Sequence, residues 1–83
     1  MLYMVQLHYS NEQRDAALRY FLEHGAIGYE GKVTLLDAWV ATDQHVAYAI
    51  VKAERREEID KACAPLEQFG EVKCNAVTSA DQL

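Results

Sequence analysis

Cysteine is scarce in this sequence. Cys63 and Cys74 are the only two in 83 residues, too few and too widely spaced for a disulfide framework or a zinc site. Basic charge is also thin: eight Lys and Arg stand against thirteen Asp and Glu, for a formal net charge of −5. That balance argues against non-specific binding to nucleic acid or to an anionic membrane, both of which reward Lys and Arg. No apolar run approaches the length of a membrane span. Met1 to Ser10 lacks a basic n-region, and Gln6 and His8 interrupt its apolar residues, so it reads as a strand and not as an export signal. There is no internal repeat and no low-complexity segment. The expectation is a cytoplasmic protein with reduced thiols.

What is present is enough for one small domain over residues 1–83, with 78–83 as a fraying polar tail. The organising stretch is KVTLLDAWVATDQHVAYAIVKA. It predicts two strands, Val33–Thr42 and His45–Lys52, joined by a tight turn at Asp43–Gln44. Val, Leu, Ile, Trp, Tyr and Thr dominate it, residues suited to a pleated, half-buried surface. The turn lacks the glycine that two-residue hairpin loops prefer, which leaves room for a longer loop of three or four residues.

The remaining elements pack on that hairpin. Leu2 to Tyr9 alternates, with Tyr3, Val5, Leu7 and Tyr9 on the more apolar face and Leu2, Met4, Gln6 and His8 on the other. Ser10 and Gln13 have the spacing of a capping box, opening a helix over Asn11–His24 whose apolar stripe is Ala17, Leu18, Phe21 and Leu22. Gly25 to Gly31 holds three of the four glycines and reads as the main loop, laid against the body of the protein through Ile27 and Tyr29. A second helix starts near Glu54 or Arg55 without a strong cap and carries Ile59, Ala62, Cys63 and Leu66 on one face. Pro65 breaks or kinks it. Glu71–Val77 is the last strand.

Strand, helix, strand, strand, helix, strand is the ferredoxin-like βαββαβ plan of the α+β class. Right-handed crossovers give a four-stranded antiparallel sheet in the order 4-1-3-2 with both helices on one face. Ala47, Ala49 and Val51 then lie under the helices, and Val46, Tyr48 and Ile50 face the other way. With Leu2 and Met4 they form an apolar patch that a monomer would leave open, so a two-fold homodimer is expected.

MLYMVQLHYSNEQRDAALRYFLEHGA, EGKVTLLDAW and AYAIVKA together resemble a bacterial domain-of-unknown-function family (DUF3303-like) of small ferredoxin-like proteins. The most characteristic parts are Arg14-Asp15-Ala16-Ala17, Phe21-Leu22-Glu23 and the stretch from Glu30-Gly31 to Trp39. The chain departs from that pattern at Gly25-Ala26-Ile27-Gly28-Tyr29, where the family tends to a proline-rich loop, at Asp37, where it tends to glycine, and in the segment after Trp39. The plan also looks like the dimeric α/β-barrel superfamily, which includes small-molecule isomerases, quinol-forming monooxygenases and stress-associated proteins.

The residues that could carry chemistry gather on the helix-free face. Gln6, His8 and Tyr48 share it by strand phase. Asp37 and Trp39 share one face of the second strand, an assignment that a bulge there would flip. A His oriented by Asp can serve as a general base near neutral pH, and Met4, Trp39 and Tyr48 would supply an apolar wall for a small hydrophobic or aromatic ligand. The plainer reading makes Trp39 and Tyr48 packing anchors of a dimer interface, with His8 and Gln6 at its wet end. His24 and His45 are expected at the surface. Cys63 reads as a small buried hydrophobe; Cys74 could face the cleft. No pair of His, Cys or carboxylates has metal-ligand spacing, no glycine-rich loop follows a strand in a phosphate-binding pattern, and no cofactor is expected. Two functional classes remain. The first is a non-enzymatic dimeric binding or interaction module. The second is a small cofactor-free isomerase or monooxygenase acting on an aromatic or lactone-like substrate, with His8 as base and Asp37 supporting it.

Overall fold

The computed structural model describes residues 1–24 and 32–82, without the side chains of Phe21, Leu22 and His24. The expectations for the loop at 25–31, for Phe21 and Leu22 as a buried stripe, for His24 at the surface, and for Leu83 in the tail lie outside the described residues.

Period-two alternation sets β1, Leu2–Tyr9, whose residues alternate between half-buried and buried along its whole length. Ser10 ends the strand and caps the helical segment after it: its Oγ accepts from the Gln13 N–H at 3.2 Å. The first turn, Asn11–Gln13, is a 3-10 helix that passes into α1, Arg14–His24. The hairpin strands are β2, Thr34–Val40, and β3, Val46–Lys52. Five residues connect them in place of the two-residue turn, and the Ala41 N–H donates to the Val46 carbonyl at 2.9 Å to close the loop. A two-residue turn of the type that matches strand twist needs positive φ, and Asp43–Gln44 offers no glycine for it. The second helix, α2, spans Arg56–Cys63, and its first turn has no side-chain cap. Pro65 then sits in a 3-10 helix, Ala64–Gln68, that finishes the segment before β4, Gly70–Val77. Past β4 the tail makes one further turn, Ala80–Gln82, whose backbone is tied by the Gln82 N–H donating to the Ser79 carbonyl at 3.0 Å.

The sheet order is β2-β3-β1-β4, all neighbours antiparallel, which is 4-1-3-2 read from the other edge. This is a ferredoxin-like α+β fold. Tyr3 lies opposite Val51, Val5 opposite Ala49 and Leu7 opposite Ala47, and all six are buried. Ile59 of α2, with no exposed surface, closes on Tyr3, Val5, Ala49 and Val51. Ala17 of α1, equally buried, joins Leu7, Tyr9 and Ala47, together with Leu66 and Phe69. Both helices therefore cover one face of the sheet. Alanines at 47 and 49 let helix backbones approach closely, and burying Leu7, Ile59 and Val51 contributes about 1.5–3 kcal/mol each. Tyr20, which the apolar stripe read from the sequence leaves out, also packs on this core, with its ring tilted 56° to that of Phe69 at 5.5 Å between centroids.

No described helix is long and apolar enough to cross a membrane.

Candidate functional site

The helix-free face is built from rows that run across the four strands. One row is Asp37, Ile50, Met4 and Asn75; the next is Trp39, Tyr48, Gln6 and Lys73; at the end lie Val46, His8 and Glu71. Thr34, Lys52, Leu2 and Val77 close the other end. Five of the six candidate residues thus fall in two adjacent rows, with His8 one row beyond.

A bulge in β2 brings Asp37 and Trp39 there. Leu35 pairs with Val51 but Asp37 pairs with Ile50, so Leu36 is an extra residue in the strand. Simple alternation would keep Val33, Leu35, Asp37 and Trp39 on one face. Instead Val33 and Leu35 pack into the helix-side core, and after Leu36 the phase changes, so that Asp37 and Trp39 stand on the opposite face. Nothing in the residue types marks Leu36 as the bulge.

Register keeps His8 and Asp37 apart. Their rows differ by the four residues from Met4 to His8, roughly 13 Å at the rise of a strand, and β3 lies between their strands. The base-and-carboxylate pair that an isomerase or monooxygenase reading needs is therefore not assembled within one chain. His8 is held by its neighbour: Nε2 donates to Gln6 Oε1 at 3.1 Å. Asp37 turns to the local backbone and accepts from the Ala38 N–H at 2.8 Å. Across from His8 and Gln6, Glu71 and Lys73 form an exposed ion pair at 3.4 Å. Such a pair contributes little to stability.

The face is mostly apolar on its middle strands, β3 and β1, with Trp39 of β2 beside them, and mostly polar on β4. Trp39 is 51% exposed, while Tyr48, Ile50, Met4 and Leu2 are half-buried. Asn75 and Glu71 are exposed on the far strand, and Lys73 has more than half of its side chain in solvent. Beside a tryptophan and a tyrosine, Gln6 and His8 put amide and imidazole groups in the same and the next row. That arrangement can stack an aromatic ring and hold a polar substituent. Among the described residues no three His, Cys, Asp or Glu side chains gather in a way that could hold a metal ion.

Cys74 belongs to the other face. It pairs with Val5 and packs, like Cys63 of α2, against the helix-side core, so it does not open on the candidate site. Burial first, and then the neighbouring Cys74, push the Cys63 thiol up from 9.0 to about 12. Burial likewise raises Cys74, opposed by the Arg56 guanidinium, whose Nη2 donates to the Cys74 carbonyl at 3.1 Å. The thiolate is the reactive form, so Cys63 should resist a thiol reagent such as iodoacetamide at pH 8 and react promptly once the chain is denatured. Equal rates in the two states would contradict this environment. Folding holds the Cys63 proton more tightly than the unfolded chain does. The stability it contributes is therefore intact below about pH 9 and declines as pH rises toward 12.

No curated protein matches this chain. The family model described as "Domain of unknown function (DUF3303)" matches it over residues 1–83. With the match running the full length of the ferredoxin-like chain, the protein belongs to that family.

Proposed function

We propose that the protein is a cytoplasmic homodimer of the dimeric α/β-barrel type, a non-enzymatic binding or interaction module in which two helix-free sheet faces stack on one another. The observation that carries this reading is the apolar middle of the helix-free face, where Trp39 is half exposed beside the half-buried Tyr48, Ile50, Met4 and Leu2. Sheets pack face to face at about 10 Å through interdigitating side chains, and a two-fold axis lets one patch cover its own copy. An 83-residue chain has the most to gain, because a domain of this size buries only about 60% of its unfolded surface alone. A small hydrophobic or aromatic ligand would lie on the row Trp39, Tyr48 and Gln6, its ring on the aromatics and its polar group at Gln6 and His8.

Trp39 is the chain's single tryptophan and reports on this face directly. In the dimer its emission should be blue-shifted and shielded from acrylamide, and should shift to the red on dilution below the dissociation constant. Emission of a solvated indole at every concentration from nanomolar upward would sink the reading.

A further inference from the structure

A concave site lies away from the helix-free face, where the β2–β3 connection meets the end of β1 and the start of α1. It is a cleft of about 450 Å³ whose walls include Tyr9, Arg14, Val40, Thr42, Asp43 and His45, within the volume range of small-molecule sites. Its back wall is fixed by main-chain bonds: the Tyr9 N–H donates to the His45 carbonyl at 3.1 Å, and the Ala41–Val46 bond closes the loop. The rings of Tyr9 and His45 lie 5.7 Å apart, and Tyr9 is only 4% exposed, so the aromatic surface there is pinned.

The charge pattern of the walls selects the ligand. Arg14 and Asp43 line the same cleft, so a dianion meets a carboxylate and a simple cation meets a guanidinium. A molecule carrying one charge of each sign satisfies both. Arg14 does have a partner, Asp15 Oδ1 at 3.3 Å, but both side chains of that pair are largely exposed. Such pairs are weak, and a guanidinium has five donors in a fork that suits a carboxylate. Val40, 44% exposed, provides an apolar surface beside the charges, backed by the buried Tyr9 ring.

We infer that this cleft binds a small zwitterion of the α-amino-acid type with an apolar side chain. Arg14 takes the carboxylate, Asp43 the ammonium, and the side chain lies along Val40. The inference is independent of dimerisation, since none of these residues is among those assigned to the stacked face.

Amide chemical-shift titration of the ¹⁵N-labelled protein tests it, with L-leucine, N-acetyl-L-leucine and L-leucine methyl ester as probes. L-Leucine should give saturable shifts at Tyr9 and residues 41–45, and each blocked analogue should bind at least about tenfold more weakly, a difference of about 1.4 kcal/mol. Arg14→Gln should bring leucine down to the level of its methyl ester, and Asp43→Asn down to the level of its N-acetyl form. Both sites are exposed, so the variants should keep the wild-type spectrum elsewhere. Absence of saturable shifts at millimolar leucine, or equal binding of all three probes, would overturn the assignment.

Discussion

Ile50→Asp should convert the protein from dimer to monomer without unfolding it. Ile50 stands at the middle of the helix-free face, between Asp37 on β2 and Met4 on β1. In an isolated chain the new carboxylate points away from the helix-side core and can reach water. In the stacked dimer it is taken out of water with no cation in its row, and its cross-strand neighbour Asp37 adds repulsion. Leaving a buried charge without a partner costs about 3–5 kcal/mol, and two-fold symmetry imposes it twice. Each 1.4 kcal/mol or so is tenfold in affinity, so dimer affinity should fall by about four orders of magnitude or more. The expected result is a monomeric hydrodynamic size with an unchanged far-ultraviolet circular dichroism spectrum. A variant that stays dimeric would show that the interface lies elsewhere.

The largest loss of stability is expected from Gly70→Ala. Gly70 opens β4 directly opposite Tyr9. A Cβ there would run into the His8 carbonyl oxygen and stand 2.8 Å from both the His8 carbonyl carbon and Tyr9 Cα. These are backbone atoms of an inner strand, paired on both sides, so no side-chain rotation relieves the clash. The start of β4 must swing out, and it takes with it the attachment of Phe69 and Leu66 to the Leu7 and Tyr9 core. A loss of about 4 kcal/mol is in the exceptional class for a single substitution. It would remove much of the roughly 5–15 kcal/mol that a domain commands. At about 4–8 °C per kcal/mol for a chain of this size, Tm should fall by at least about 15 °C. A drop of a few degrees would mean that β1 and β4 yield more readily than their pairing implies.

These two positions also mark how much of the molecule the sequence makes legible. The strands and their buried faces follow from short-range alternation: Tyr3, Val5, Leu7 and Tyr9 are inside because period two and one covered face leave no other phase. Ser10 with Gln13, and Pro65 with the turn that contains it, act within one helical turn and are equally readable. Whatever depends on which strand residue sits opposite which is not. Leu36 is no more bulge-like in composition than Leu35, yet its insertion decides that Asp37 and Trp39 face away from the helices. The separation of His8 from Asp37 is likewise a matter of register between strands distant in sequence. Residue types alone let them be imagined as a pair. Cys74 is an intermediate case: its phase within β4 is fixed by the pairing of Gly70 with Tyr9, which strand alternation does not supply. The cleft between Arg14 and Asp43 has no motif to announce it, because its walls come from separate segments of the chain.

Whether the helix-free face meets its own copy is tested most directly by sedimentation equilibrium of the unmodified protein at micromolar concentration. The predicted result is a species of twice the 9.4 kDa chain mass, dissociating on dilution. A single species of 9.4 kDa across the micromolar range would contradict it.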